Sequence, residues 1–219
     1  MNKKTSIISL RRILGTMCLL LSLTALSQTV SKATKVLDYT AETIKACGDL
    51  KLDFTASQFK NFQETGSSNG TMLLSGKRLK LSTPQLITWY DGKTQWNYIV
   101  NANEVDVSYP TKKEMTTLNP YSFLNVYKRG YRATMRETTL RDQPTYEVHL
   151  VARFKNMDAQ EIYIDIRQED YIPLCIRIRQ DDEWTRIALN DIKINQNFSD
   201  SEFVFNKQDY PSALFVDLR

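Results

Sequence analysis

Residues 161–194 read EIYIDIRQEDYIPLCIRIRQDDEWTRIALNDIKI, and apolar side chains occupy every second position through most of this stretch. Polar turns at 168–170 and 180–182 divide it into three alternating runs. Alternation with a period of two predicts antiparallel strands that are covered on one face and wet on the other. We therefore expect three consecutive strands joined by hairpins here.

The third run changes its parity part-way. Ile187 and Leu189 lie on odd-numbered positions, whereas the next apolar pair, Ile192 and Ile194, lies on even ones. One extra residue in a strand produces such a switch, because it rotates all later side chains to the other face. The sequence therefore predicts a β-bulge near Asn190.

The same alternation occurs across the rest of the chain. It is found at 50–55, 78–81, 95–98, 104–108 and 147–154. Turn sequences such as Ser75-Gly76-Lys77 and Asp91-Gly92-Lys93 separate the runs. The pattern predicts about nine to eleven strands in a mainly β protein with few helices, folded as one large curved antiparallel sheet or open barrel.

One helix is expected before the sheet. Ala33, Val36, Leu37, Ala41 and Ile44 recur at steps of three and four residues, which is the spacing of one helical face. Gly48 follows at the position where a helix commonly ends.

A second helix is expected between strands. Asn119 and Pro120 form a helix start, and Phe123, Leu124 and Tyr127 fall on one face. Two short helices cannot cover a long apolar sheet face tightly, which indicates a cavity. The alternative is that the sheet curls enough to fill its own interior, as small barrels do.

The first residues have the pattern of an export signal. Four basic residues in 1–12 precede an apolar run from Ile13 to Leu26, and Ala25 and Ser27 are the small residues of a cleavage site before Gln28. A membrane anchor is the alternative, but the run is shorter than the ~20 residues that span a bilayer. We expect residues 1–27 to be a cleaved signal peptide and 28–219 to be a single exported domain.

The whole chain has 29 basic and 25 acidic residues, a net charge of +4. The leader accounts for all of this excess, because it contains Lys3, Lys4, Arg11 and Arg12 and no acidic residue. The remaining chain is neutral, so we expect no nucleic-acid partner. After export, Cys47 and Cys175 could form a disulfide or remain two buried thiols. The sequence leaves both alternatives open.

The composition disfavours an enzyme. One histidine and seven glycines exclude sites that need two histidines or a glycine-rich phosphate loop, and no G-x-S-x-G sequence is present. Gly70–Arg78 resembles a phosphate-binding loop but has the wrong spacing. A pair of carboxylates of the glycosidase type is the remaining enzymatic alternative. We expect no catalytic residue, cofactor or metal.

The second half of the chain carries many arginines on the polar side of its strands. Arg153, Arg167, Arg177, Arg179 and Arg186 are interleaved with acidic residues. Cross-strand ion pairing is the favoured interpretation, and a surface for docking a partner is the alternative.

Aromatic residues cluster around one hairpin, which runs from Trp89 through Asp91-Gly92 to Tyr98. Such a cluster either fills a core or lines a site for an apolar ligand. Its sequence, WYDGKTQWNY, resembles the D-G-K-T-x-W-x-Y hairpin of the periplasmic outer-membrane lipoprotein carriers, the LolA family. The resemblance extends at the level of pattern over most of residues 28–219, and includes the opening helix, the Asn119-Pro120 helix and a closing Phe203-Val204-Phe205.

This resemblance implies an incomplete, half-open β-barrel lidded by α-helices. It also implies a monomeric carrier that takes lipoprotein acyl chains from an inner-membrane lipoprotein-releasing transporter to an outer-membrane receptor. The family often has Lys-Arg-Pro after its second strand, whose arginine latches the lid. Here Gly76-Lys77-Arg78-Leu79 lacks the proline, so no latch role is assigned to Arg78. The alternative function is a periplasmic sensor with the same fold, which binds lipid or lipoprotein and contacts a membrane-anchored regulator.

The candidate site follows from which residues of each strand share the apolar face, since alternate residues of a strand point to the same side of the sheet. The predicted apolar lining is Leu52, Phe54, Met72, Leu74, Leu81, Trp89, Trp96, Tyr98, Ile164, Ile176 and Ile178. The lid is expected to consist of the first helix with Phe123, Leu124 and Tyr127.

Overall fold

The computed structural model describes residues 32–111, 114, 115, 121, 127, 128 and 130–219. The helix α1 spans residues 32–46. The strands are β1 Leu50–Lys60, β2 Gln63–Ser75, β3 Arg78–Ser82, β4 Leu86–Tyr90, β5 Gln95–Ile99, β6 Glu104–Ser108, β7 Tyr131–Leu140, β8 Gln143–Ala152, β9 Glu161–Arg167, β10 Pro173–Gln180, β11 Glu183–Lys193 and β12 Leu214–Asp217. The predicted signal peptide lies outside the described residues, as do Phe123, Leu124 and most of the predicted second helix.

All twelve strands belong to one sheet, in the order β12-β6-β5-β4-β3-β2-β1-β11-β10-β9-β8-β7. Neighbouring strands are antiparallel except for β12, which runs parallel to β6. Among the described residues β7 and β12 form the two edges, so the sheet is not closed into a barrel. The predicted mainly β, half-open architecture is confirmed, with one strand more than the upper prediction.

The helix α1 forms where the sequence predicted it. Ala33, Val36 and Leu37 are buried, because the apolar residues at steps of three and four lie on one side. Gly48 has a φ of +63°, a conformation that glycine adopts without steric cost and that ends the helix before β1 begins.

Tight turns join most of the strands. In the β4–β5 turn, Asp91 Oδ1 accepts hydrogen bonds from the backbone N–H groups of Lys93 and Thr94, each at 2.8 Å. The β1–β2 turn consists of Asn61 and Phe62, both with positive φ, as a two-residue type I′ turn requires.

The predicted bulge is present. Asp53 of β1 pairs with Asp191 of β11, but the next residue, Phe54, pairs with Leu189. Asn190 is therefore the extra residue. The bulge keeps the apolar residues on both sides of it on the same face of the sheet.

The sheet has two unlike faces. We call the face that packs against α1 the helix face and the opposite one the outer face. A continuous apolar cluster joins α1 to the helix face, where it includes Leu52, Met72, Ile164 and Ile176. Most of the buried hydrophobic residues in the described part of the chain belong to this cluster.

Ion pairs cover the outer face of β7–β10. Arg177 Nη2 lies 2.7 Å from Glu147 and 3.5 Å from Asp165, while Arg179 Nη2 lies 2.6 Å from Glu161. Asp165 and Glu161 lie on the neighbouring strand β9, and Glu147 lies one strand further, on β8. The predicted cross-strand pairing is confirmed for Arg177 and Arg179.

A C-terminal strap, residues 198–213, covers another part of the outer face before the chain enters β12. Its Phe203 is completely buried, and the Arg78 guanidinium lies 4.9 Å above the Phe203 ring. Arg78 also forms an ion pair with Asp200 of the strap. Arg78 therefore holds the strap on the outer face.

Candidate functional site

The helix face brings together eight of the eleven predicted lining residues. Cross-strand partners share a face, and the register pairs Leu52 with Met72, Met72 with Leu81, and Ile176 with Ile164. Leu52, Phe54, Met72, Leu74, Ile164 and Ile176 are buried, whereas Leu81 and Ile178 are partly exposed. The site is therefore an apolar surface whose centre is covered and whose margin reaches solvent.

The other three predicted residues, Trp89, Trp96 and Tyr98, lie on the outer face. Leu81 pairs with Thr88 and not with Trp89, and Trp89 pairs with Trp96. The expectation that these aromatic residues share a face with Leu52 is wrong. Four successive residues of β4 are Leu, Ile, Thr and Trp, so parity does not indicate which of them points towards the helix face.

The strap packs on these aromatic residues. The Trp89 ring centroid lies 5.5 Å from Phe205 and 5.7 Å from Tyr210, and Tyr98 lies 4.5 Å from Tyr210. This contact was missed from the sequence. The aromatic content of the C-terminal segment was the available signal, because those side chains need an apolar surface to pack on.

Partly exposed apolar residues mark the margin of the helix face. We define the rim as Ala56, Leu81, Ile178 and Ile187, which pack against the central cluster without being buried. Ala56 pairs directly with Ile187 across β1 and β11. The rim is where an apolar ligand can begin to contact this surface without the central core opening.

The apolar surface ends at β4 and β5. There, Thr88 Oγ1 donates to Asn97 Oδ1 at 2.8 Å, and Gln95 Nε2 donates to the same oxygen at 2.9 Å. Thr88 is completely buried. The register places this polar group on the helix face, so the apolar surface extends over β1–β3 and β7–β11.

Two polar contacts tether α1. Of the predicted lid residues, Tyr127 is buried in the central cluster, and its hydroxyl donates to Asp38 of α1. Lys128 Nζ lies 2.7 Å from the same carboxylate. Hydrogen bonds from Lys128 and Tyr127 lower the pKa of Asp38, while burial and the Asp38 carboxylate raise the pKa of Tyr127 to about 12.

The outer face offers grooves of different chemistry. One of about 640 Å³ is lined largely by polar residues that include Asp53, Thr55, Asn69 and Asn190. A second, of about 360 Å³, is lined by Arg136, Glu147, His149, Tyr163 and two others. The polar lining of the second groove does not suit an alkyl chain, because an apolar ligand needs predominantly apolar walls.

Cys47 and Cys175 are free, buried thiols. Cys47 lies in the central cluster beside α1, whereas Cys175 pairs with Asp165 and alternates with the buried Ile176, which places its thiol on the other side of the sheet. A bridge across the sheet is therefore absent. Burial raises the pKa of Cys175 to about 11, so this thiol is a poor nucleophile.

Within the described part of the chain, no helix is both long and apolar enough to cross a membrane. In the same residues no three His, Cys, Asp or Glu side chains converge as a metal site requires.

Comparison with known proteins identifies the family. The family described as outer membrane lipoprotein carrier protein LolA matches residues 23–182, which is most of the chain. The chain belongs to the LolA family. This family consists of carriers and not of enzymes. A search of the curated proteins finds no match.

Solved structures are similar to this chain. An uncharacterized conserved protein from Thermus thermophilus is 11% identical, with a TM-score of 0.57 over 85% of this chain and 99% of that one. A LolA superfamily protein from Nitrosomonas europaea is 10% identical, with a TM-score of 0.46 over 79% of this chain and 97% of that one. At these identities the first likeness shows a common fold.

Proposed function

We propose that this chain is a periplasmic carrier that binds the acyl chains of lipoproteins on its helix face and moves them from the inner to the outer membrane. The observation that carries the proposal is the rim of Ala56, Leu81, Ile178 and Ile187, which remains partly exposed beside a covered apolar centre. Membership of the LolA family supports the same cargo.

The dimensions of the elements explain why the rim stays exposed. The 15 residues of α1 make a helix about 22 Å long. Twelve neighbouring strands make a sheet about 53 Å wide. One such helix covers only part of the sheet, and the apolar residues beyond it are available to a ligand.

The energetics of the cargo require such a surface. Each methylene group removed from water contributes about 0.8 kcal/mol, so one long acyl chain contributes on the order of 10 kcal/mol. A lipoprotein therefore does not cross an aqueous compartment with its chains exposed. The helix face supplies apolar contacts that replace those of the membrane.

Movement of α1 gives the cargo access to the covered centre. The polar tether of α1 consists of Tyr127 and Lys128 on one carboxylate, Asp38. Breaking these bonds exposes groups that water can solvate at modest cost. Acyl chains first contact the rim and then take the place of α1 over residues such as Leu52 and Ile176.

The route and the partners belong to the same proposal. Export with removal of residues 1–27 places the carrier in the periplasm. An inner-membrane lipoprotein-releasing transporter supplies the cargo, and an outer-membrane receptor accepts it. The carrier acts as a monomer and needs no cofactor.

Competition between an apolar fluorescent probe and an acylated peptide tests this function. We expect the probe to brighten on binding and to be displaced by the acylated peptide but not by the same peptide without acyl chains. Ile178→Ser should weaken binding severalfold. Leu73→Ser is the matched control, because Leu73 is also partly exposed but lies on the outer face. Failure of the acylated peptide to displace the probe, or equal losses in both variants, would contradict the proposal.

A further inference from the structure

Two phenylalanines project into solvent from the same end of the sheet. Phe62, in the β1–β2 turn, is completely exposed, and Phe154, in the loop between β8 and β9, is 61% exposed. We call this end the turn end and define it by the turn 61–62, the turn 181–182 and the loop 153–160.

The register shows that these segments share one end. Lys60 pairs with Glu183, and Glu183 pairs with Gln180. Next to Gln180, Arg179 pairs with Glu161, which pairs with Val151. These pairs lead from β1 through β11, β10 and β9 to β8, which is four spacings between neighbouring strands. The two phenylalanines are therefore roughly 19 Å apart along the sheet. They are separate contact points on a broad surface.

The backbone at Phe62 argues against a purely structural role. Its φ of +62° is uncommon for a large side chain and is most easily adopted by glycine. The Phe62 side chain also contacts no core, since it is fully exposed. The fold thus carries a strained residue whose apolar ring contributes nothing to internal packing.

The charges at the turn end are mixed. Lys60 Nζ lies 3.5 Å from Asp182 and 3.0 Å from Glu183, so charges of both signs neutralise one another beside Phe62. Arg153 and Lys155 flank Phe154. Aromatic rings beside cationic side chains are typical of segments that lie at a lipid interface. The acids of the 181–183 turn limit attraction to a strongly anionic surface.

The rim approaches the turn end. Ala56 and Ile187 lie within four residues of the paired Lys60 and Glu183, and Ile178 lies two residues before the end of β10. A lipid surface in contact with the turn end is therefore close to the apolar margin of the helix face.

We propose that the turn end docks transiently on the interface of a lipid bilayer, with Phe62 and Phe154 inserted among the headgroups. This inference deepens the proposed function and rests on it for its purpose, because docking lets an acyl chain pass between membrane and rim with little exposure to water. Contact with the lipid itself can be measured without any cargo.

The test is flotation of the chain without residues 1–27 with zwitterionic phosphatidylcholine vesicles. Phe62→Gly and Phe154→Ser should each lower the partition coefficient about tenfold. Leu218→Ser is the matched control, since Leu218 is 62% exposed but lies after β12, away from the turn end. This control should bind vesicles like the unmodified chain.

Phe62→Gly provides a second readout. Glycine suits the type I′ turn, so this variant should melt at a higher temperature while binding vesicles more weakly. Three results would each overturn the proposal. The first is that the unmodified protein does not float with the vesicles, and the second is that its binding requires anionic lipid and disappears in salt. The third result is that the phenylalanine variants float as well as the unmodified protein does. Probe binding in the absence of vesicles should be unchanged in all these variants, which separates this inference from the carrier function.

Discussion

Gly70 in β2 makes room for the ring of Phe54 in β1. A Cβ atom at this position would lie 2.4 Å from Phe54 Cζ and 2.9 Å from the backbone oxygen of Ser82. The second contact involves backbone, which cannot rotate away. Gly70 therefore allows the Phe54 ring to approach the backbone of β2 closely.

We predict that Gly70→Ala lowers the free energy of unfolding by about 1–3 kcal/mol, because the added methyl overpacks this site. Urea unfolding of the purified variant measures the change. Gly66→Ala is the matched control in the same strand, since its nearest neighbour is the flexible Gln58 side chain at 3.9 Å. If Gly70→Ala is as stable as the unmodified protein, the residues around Gly70 move aside for the added methyl without a loss of stability.

At the scale of elements, Tyr127 and Lys128 tether the packed helix α1 through Asp38. We predict that Tyr127→Phe lowers the free energy of unfolding by about 1 kcal/mol, through loss of its hydrogen bond to Asp38. Backbone amides of residues 32–46 should exchange with solvent faster, because the helix detaches more often.

Tyr131→Phe distinguishes loss of the tether from general destabilisation. The Tyr131 hydroxyl is buried and donates to Ala159 O at 3.0 Å, so its removal has a comparable cost. In the Tyr131→Phe variant, the rate of amide exchange in α1 should not increase relative to the rate in the sheet. If both variants accelerate exchange in α1 equally, Tyr127 is not a specific tether.

The outer-face ion pairs connect β7, β8 and β10 through Glu147. Burial by itself would raise the pKa of Glu147, but hydrogen bonds from Arg136 and Arg177 outweigh it and lower the pKa below its usual range. A carboxylate with a lowered pKa stabilises the fold above its unfolded pKa. That contribution is lost as the pH falls through the folded pKa.

We predict that Glu147→Gln costs about 1–3 kcal/mol at pH 7, because it weakens two charged hydrogen bonds at a buried site. The difference from the unmodified protein should shrink as the pH falls through the lowered pKa of Glu147, because the carboxyl then becomes protonated. Urea unfolding at pH 7 and pH 3 measures both values. Glu183→Gln is the control, because the Lys60–Glu183 pair is half exposed and such pairs contribute little. A difference that does not depend on pH would contradict this account.

For the molecule as a whole, the two faces of the sheet have separate roles. The helix face carries the candidate cargo surface, and the strap closes part of the outer face through Phe203, Phe205 and Tyr210. Covering part of each face of an open sheet stabilises it and leaves free the rim proposed to bind cargo.

We predict that Phe203→Ala lowers the free energy of unfolding by about 3–5 kcal/mol, as truncation of a fully buried phenylalanine does. Binding of the acyl probe under native conditions should be preserved, because the helix face is not altered. Val204→Ala is the control next to it, since Val204 is 40% exposed. Loss of probe binding in a folded Phe203→Ala protein would show that the two faces are coupled.

The sequence by itself determined the strands, the helix α1 and the main turns. These follow from local physics: the alternation of 161–167 and 172–179 reflects one wet and one covered face, and a glycine at 48 or 76 permits the positive φ that ends an element. The parity switch located the bulge at Asn190 for the same reason. The Asp91-Gly92-Lys93-Thr94 hairpin was sufficient to suggest the family.

Only the tertiary structure decided which face each strand turns towards α1. Alternation separates the two sides of a strand but does not say what covers each side, and in β4–β6 the strap covers the second side. Trp89 and Tyr98 therefore pack on the outer face although their pattern matched a cargo lining. The turn end likewise emerges from pairing between distant segments, because only the register of β1, β11, β10, β9 and β8 places residues 62 and 154 at the same end of the sheet.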